Sequence, residues 1–373
     1  MADNSRLTSI HVEGFRSIAK LDLPLRPLNV LIGPNGVGKS NFIELFGLVR
    51  QVMTGQLQLY TRQRGGANRI LHYGRKRTDK FEVEIRFPPN GYGLALVPTD
   101  DDSFTIAHEV GLFNTDNNNR NPFIEALTSP GALESRMANP VTRPAAPVAK
   151  HVYRALHGWR VYHFHDTSRD AAVKQSSERS ETNVLKENAS NLAPFLWNMR
   201  DEHPLHYKRL LRIIQQVIPF FQDFYFPADD DSKDEEKKSV RLQWQDKNHP
   251  DTIFNAHALS DGSLRFICIA TLLLQPDIPA LVLLDEPELG LHPAAIAIVA
   301  GLLSKASARA TIIISTQSVN LVNEFSPEDI IVVERDEDGA STFERQSAEG
   351  LTDWLKRYSL GEIWEKNIIG GRP

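Results

Sequence analysis

The chain of 373 residues contains a single cysteine, Cys268, which excludes a disulfide framework within it and suits a reducing compartment. Cys268 sits in the apolar run Phe266–Ala270 and reads as core packing. No apolar run reaches the ~18 residues that a membrane-spanning helix needs. The longest, around Ile267–Leu274 and Ala280–Leu284, are punctuated by Gln275, Pro276 and Asp277. The opening residues MADNSRLTSI carry no apolar stretch of the kind a secretion signal requires, so the expected location is the cytoplasm, with no membrane partner. Positive charge is not in excess: 42 Lys and Arg face 47 Asp and Glu, a net charge of -5. Bulk charge therefore does not advertise nucleic-acid binding, although a local basic patch stays open. Internal repeats and sustained heptads are also missing, which excludes a solenoid and a long coiled coil. A hydrophobic content of 41% and a length suited to one large domain or two to three lobes are enough for a sizeable core.

The first stretch reads as strands. Residues 7–12 alternate apolar and polar, Gly14-Phe15-Arg16-Ser17 makes a turn, and Leu21, Leu23 and Leu25 resume the alternation as a hairpin. Leu28–Ile32, all but one apolar, predicts a buried strand that runs directly into a glycine-rich loop. Ser40–Met53 then shows helical spacing, with Phe42, Ile43, Leu45, Phe46 and Val49 on one face. Phe81–Phe87 alternates strictly, and strands are expected at Leu94–Val97 and Phe104–Val110. Asn114–Asn121 predicts a polar loop. Ser129–Pro147, with four prolines, predicts irregular structure. A strand at Arg160–Phe164 and helices over Asn191–Arg200 and Tyr207–Phe220 follow, and the charge run Asp229–Lys238 reads as a solvated hairpin tip. Helix and strand then alternate: a helix from Ser260, strand Leu281–Leu284, helix Ala294–Lys305, and strands at Thr311–Ile314 and Ile330–Val333.

Gly33-Pro34-Asn35-Gly36-Val37-Gly38-Lys39-Ser40 fits G-x-x-x-x-G-K-[ST] between a strand and a helix. Glycines let the backbone wrap closely around a triphosphate, and the helix start adds its positive end. Lys39 is placed to reach β- and γ-phosphates, and the Ser40 hydroxyl to hold Mg2+. Residues 280–287 form an apolar strand ending in Asp285 and Glu286. Asp285 suits the metal, and Glu286 suits polarising an attacking water. Leu259-Ser260-Asp261-Gly262-Ser263 opens a helix with Ser260 as N-cap, 25 residues before Asp285. His163, His165 and Asp166 are candidates for a metal set. The two histidines share a strand face, but no third ligand has diagnostic spacing.

Together GPNGVGKS, LSDGS, LLDEPELGLHP and STQS resemble the Walker A, signature, Walker B with D-loop, and switch elements of ABC-type ATPase heads. The opening IHVEGFRSI resembles the SMC, RecF and OLD branch, and the tail WLKRYSLGEIWEKNIIGG resembles the stand-alone AAA-type ATPases grouped with it. The resemblance implies an α/β P-loop fold with a mixed central sheet, an N-terminal β-rich lobe and an inserted, mostly helical lobe. It divides the chain into 1–110, 111–255 and 256–373. It further implies ATP and Mg2+ as cofactors, with Gly33, Asn35, Gly36, Gly38, Lys39, Ser40, Asn41 and Arg16 around the nucleotide, and Ser40 and Asp285 on the metal. Ser260 and Gly262 of one subunit would contact ATP bound by Lys39 of another, which makes a homodimer. Glu286 would be the catalytic base and Gln317 the switch residue. His292 falls in the D-loop or is structural, and Gln63 is the candidate lobe-I glutamine. Gln317, where the family often has histidine, cannot become a cation, so turnover is expected to be slow.

Two roles stay open. Stand-alone relatives suggest a switch for a separate effector, a nuclease or toxin, in anti-phage defence, because only about 55 residues follow Gln317. A RecF-like DNA clamp in repair is the alternative, with Arg62, Arg64, Arg69, Arg75, Lys76 and Arg77 as contacts and Tyr60, His72 and Tyr73 between them. A transporter subunit fits poorly, since Lys39 and Ser260 are separated much more widely than in that class.

Overall fold

The computed structural model describes residues 6–114, 122–139, 141, 144–145, 147–226 and 239–372. The charge run Asp229–Lys238 and residues 115–121 of the polar loop lie outside these. Two compact units emerge: Met1–Val161 with Pro279–Leu283 and Ala310–Pro373, and Tyr162–Ile278 with Leu284–Arg309.

The first unit begins with strands β1 (Ser9–Phe15), β2 (Ile18–Pro24) and β3 (Leu28–Ile32), followed by helices α1 (Lys39–Met53), α2 (Leu57–Gln63) and α3 (Ala67–Ile70). Strands β4 (Phe81–Phe87), β5 (Asn90–Pro98), β6 (Phe104–Phe113) and β7 (Phe123–Thr128), helix α4 (Pro147–His157) and strand β8 (Arg160–Tyr162) complete its first segment. One sheet is antiparallel, in the order β2-β1-β4-β5-β6-β7. Its register explains the alternation in sequence: Val12 pairs with Leu21 on one side and Val83 on the other, so the apolar residues share a buried face. Helix α1 packs into that core. Phe42 and Phe46 meet edge to face at 5.5 Å, and Phe46 meets Trp159 at 5.8 Å. Burying a side chain of this size contributes about 1.5–3 kcal/mol.

Within Ser129–Pro147, where irregular structure is expected, Arg136–Ala138 form a 3-10 turn capped by Ser135, and the segment's last residue starts a helix. Pro147 opens α4, because a proline at the first helical position gives up an N–H that has no partner there anyway.

The second unit carries β9 (Ser177–Glu178), α5 (Leu192–Glu202), α6 (Pro204–Val217), β10 (Phe221–Tyr225), β11 (Ser239–Val240), β12 (Gln243–Asp246), β13 (His249–Asn255) and α7 (Asp261–Leu274). Helix α6 packs on α5 and α7. Strands β10, β12 and β13 form a small sheet pinned by aromatic stacking, with Phe221 on Trp244 at 5.6 Å and Trp244 on Phe254 at 5.0 Å.

Strand β14 (Leu281–Asp285) starts in the first unit and ends in the second, where α8 (Pro293–Ala306) packs on α7. The chain returns to the first unit with β15 (Thr311–Thr316), α9 (Val319–Val322), β16 (Ile330–Arg335), β17 (Ser341–Arg345), α10 (Thr352–Leu355) and α11 (Leu360–Glu365). The mixed sheet runs β17-β16-β3-β15-β14-β8. Strand β3 is parallel to both β15 and β16, and all five of its residues are buried, which is why LNVLI shows no alternation. No helix among the described residues is long and apolar enough to cross a membrane.

Candidate functional site

The glycine-rich loop joins β3 to α1. Gly33 has φ 144° and Gly38 has φ 120°. A Cβ on Gly33 would stand 2.2 Å from the Val333 carbonyl oxygen, and one on Gly38 would stand 2.1 Å from Ser341 Oγ. Both positions therefore exclude a side chain by contact and by dihedral.

The carbonyls of this loop are bonded. Lys39 Nζ donates to the Gly33 oxygen at 2.5 Å and to the Pro34 oxygen at 2.9 Å. Arg335 forks onto the Gly36 oxygen, with Nε at 3.1 Å and Nη2 at 2.8 Å. The Ser341 hydroxyl donates to the Val37 oxygen. A trans peptide points its N–H away from its C=O, so carbonyls tied from one side leave the amides to an anion on the other. Lys39 is buried, while Ser40, next in line, is exposed. Gln317 follows β15, and its Nε2 donates to Asn35 Oδ1 at 2.7 Å, so the structure brings the switch candidate onto the loop.

Arg16 occupies the β1–β2 turn with φ 49°, a left-handed conformation unusual for a side-chain-bearing residue. Its guanidinium pairs with Glu44, at 2.5 Å from Nη1 to Oε2, and Arg64 reaches the same carboxylate at 2.6 Å. Glu44 lies one helical turn beyond Ser40 on α1. Asn41 donates to Ser17 Oγ at 2.7 Å. Arg16, Asn41, Arg69, Tyr73 and Arg335 line a cleft of about 420 Å³. Three guanidinium groups around one cleft suit a ligand rich in negative charge. Arg75 pairs with Asp100 at 3.4 Å, Arg77 lies over the Tyr73 ring, and Gln63 is exposed at the end of α2.

In the second unit, Ser260 caps α7. Its Oγ accepts from the Ser263 N–H at 3.2 Å, with Ser263 Oγ at 2.8 Å. A Cβ on Gly262 would meet the Gly290 oxygen at 2.3 Å, so the signature segment and the turn after β14 touch through bare backbone. Arg265 secures that contact from within α7. It donates to the carbonyls of Phe164 and His165, both at 2.9 Å, and to that of Leu289. Burial pulls its guanidinium below the usual arginine value. Asp285 ends β14. Glu286 follows with φ 41°, a conformation that costs on the order of 1 kcal/mol and is concentrated at functional sites. His292 is exposed and caps α8 through Nδ1, which accepts from the Ala294 N–H at 3.3 Å. Asp166 accepts from the Ser168 N–H at 3.0 Å.

Sequence reasoning missed Arg335, Ser341, Glu44 and Arg265. Arg335, Ser341 and Arg265 lie in no motif, Glu44 closes the stretch GPNGVGKSNFIE without a role of its own there, and three of the four act on residues 299, 304 and 28 positions away.

Residues 28–323 match a protein family described as AAA domain, putative AbiEii toxin, Type IV TA system. The chain belongs to this family. Among solved structures it is similar to an SMC head bound to the C-winged helix domain of ScpA. The identity is 15%, with 93% of this chain and 99% of that one covered, and the TM-score is 0.61. It is also similar to an SMC head domain with an extended coiled coil bound to the C-terminal domain of ScpA, derived from Pyrococcus furiosus. There the identity is 13%, the coverage 94% and 98%, and the TM-score 0.57. No curated protein matches the chain. The fold of this AAA-family chain is therefore that of an SMC head.

The residues present fit a nucleotide with its metal. Gly33 and Gly38 of the loop admit no Cβ, and Lys39 stands beside them as a buried cation. Beside Lys39, the exposed Ser40 hydroxyl is a hard oxygen donor of the kind Mg2+ prefers. Among the described residues no group of three or more His, Cys, Asp or Glu side chains could hold a metal unaided.

Proposed function

We propose that the chain binds ATP with Mg2+ at Gly33–Ser40, hydrolyses it slowly, and works as a switch in which two copies close around ATP and control a separate effector protein. The observation that carries this reading is the loop itself, with its carbonyls bonded and Lys39 coiled inside it. Lys39 would leave the Gly33 and Pro34 oxygens for the β- and γ-phosphates, while Arg16 reaches the phosphates from the β1–β2 turn. Magnesium, when bound, would supply charge neutralisation at the phosphate oxygens, held by Ser40 and Asp285. Water would attack the γ-phosphorus in line, the β–γ bridging P–O bond would break, and ADP would leave with the bonding pair. Glu286 would accept the proton of that water, and Gln317 would orient it. Ser260 and Gly262 of the second copy would complete the γ-phosphate shell at the capped start of α7.

An effector in trans is supported by two likenesses. The family description refers to a toxin–antitoxin system, and the SMC heads of similar fold were solved with a bound partner, ScpA. The test is size-exclusion chromatography of Glu286→Gln with saturating ATP and Mg2+, with and without DNA. An ATP-dependent dimer without DNA is expected. A monomer under those conditions counts against the sandwich, and a dimer that forms only with DNA favours the clamp.

A further inference from the structure

The residues from Gln317 to Gly371 form a closed circuit around the phosphate loop, and the hydrolytic mechanism uses none of them beyond Gln317. Gln317 bonds Asn35 directly. It also leads, through the cap Ser318, into α9. Asn323, just past α9, accepts the Gly361 N–H at 2.7 Å, and a Cβ on Gly361 would stand 2.6 Å from Val319 Cγ1. Helix α11 is thus pressed directly on α9. Its start is fixed by a capping box in which Ser359 and Glu362 satisfy each other's backbone. From α11, the fully buried Trp364 donates its Nε1–H to the Gly371 carbonyl.

Gly371 closes the circuit. Its N–H donates to Glu334 Oε1 at 2.6 Å. Its φ is 59°, and a Cβ there would stand 2.7 Å from Val332 Cγ1 and 3.4 Å from the Cα of Gly33, the first residue of the phosphate loop. Gly33 also meets β16, since a Cβ on it would stand 2.2 Å from the Val333 oxygen. The loop's entry therefore touches both β16 and the tail, and the positive φ of Gly33 and of Gly371 favours glycine at each.

We propose that Gly371, held by Trp364 and Glu334, is a positioning element of the phosphate loop that couples nucleotide uptake to the seating of α11 on α9. This rests on the reading of Gly33–Ser40 as an ATP site. The coupling is reciprocal: if the seated tail favours ATP, ATP seats the tail by the same factor.

The test uses the full chain, with ATP and Mg2+ as probe. Trp364→Phe keeps the aromatic bulk and removes the donor to Gly371, and Glu334→Ala removes the acceptor, whereas Glu334→Gln keeps an oxygen that can accept. Weaker ATP binding by roughly five-fold or more is expected for the first two, the lower end of ordinary coupling between sites. Glu334→Gln should bind as wild type does. In the wild type, hydrogen exchange of the Gly371 amide should slow when ATP is added, a readout that needs no variant to fold. ATP affinity unchanged in Trp364→Phe and Glu334→Ala, or Gly371 exchange indifferent to ATP, overturns the coupling. A wild-type chain that binds no ATP at all overturns the nucleotide reading beneath it.

Discussion

Arg335→Ala removes an anchor of the phosphate loop that is also one of the three guanidinium groups lining the neighbouring cleft. The guanidinium places two donors on the Gly36 oxygen and a third, at 2.7 Å, on the Gly339 oxygen. It therefore ties the crown of the loop to the β16–β17 turn. A hydrogen bond from a charged group is worth about 1.5–3 kcal/mol net. Arg335 is exposed, and solvent screening reduces the pair of bonds to roughly 1–1.5 kcal/mol. A second route gives the same size. Freeing the backbone of Gly36 restores conformational entropy that ATP binding must then remove, at about 1 kcal/mol for one residue. Either route converts to ATP binding roughly 5- to 10-fold weaker.

Arg335→Lys keeps the charge but offers a single flexible donor in place of a planar fork, so about half of the lost free energy should return. Isothermal titration with ATP and Mg2+ measures all three proteins, and a thermal melt checks that the fold is intact. Because Arg335 is exposed, its removal should leave the melting temperature nearly unchanged. An Arg335→Ala protein that binds ATP within about two-fold of wild type would refute the anchoring argument, since both routes place the loss above that.

Two further outcomes follow from buried groups away from the loop. Glu109 is fully buried in β6, where it accepts from Tyr92 at 2.9 Å, from Ser135 at 2.9 and 2.8 Å, and from Thr128. Burial pushes its carboxyl above the ordinary value near 4.5, against the pull of the three hydroxyls. A carboxyl raised by folding contributes stability that is full below its unfolded pKa and is lost as pH climbs through the folded one. Urea unfolding of wild type and Glu109→Gln should therefore show the wild type losing ground to the variant as pH rises above the ordinary carboxyl value near 4.5, and a difference that stays constant with rising pH would contradict it. Cys268 is buried in α7, which pushes its thiol up to about 12. A thiol reagent at pH 8 should thus leave the folded chain untouched and label it fully in denaturant; rapid labelling of the folded chain would show that α7 opens locally.

The parts of this molecule that could be read in advance are those in which a few neighbouring residues carry the whole physical requirement. Gly33 through Ser40 need their glycines, lysine and hydroxyl at fixed spacing, because one loop and one helix start must do the wrapping. The alternation of Phe81–Phe87 is legible because a two-sided strand repeats every second residue. What stayed hidden was the support. The bonds from Arg335 and Ser341 to the loop span 299 and 304 residues, and each appears in the sequence as an ordinary strand-end side chain. Helix α4 was obscured by its own first residue, since a proline reads as a breaker inside a helix and as a starter at its edge. Glu44 shows no more than a polar position on α1, although it gathers both Arg16 and Arg64. The tail shows the same asymmetry: GEIWEKNIIGG could be recognised as a pattern, but the reason for its paired glycines emerges only where Gly371 meets Gly33. A motif of this kind records where the ligand's demands fall on the chain. The residues that hold the motif in shape answer to the fold instead, so variation at Arg335, Ser341 and Gly371 is where nucleotide affinity can be tuned without touching the motif itself.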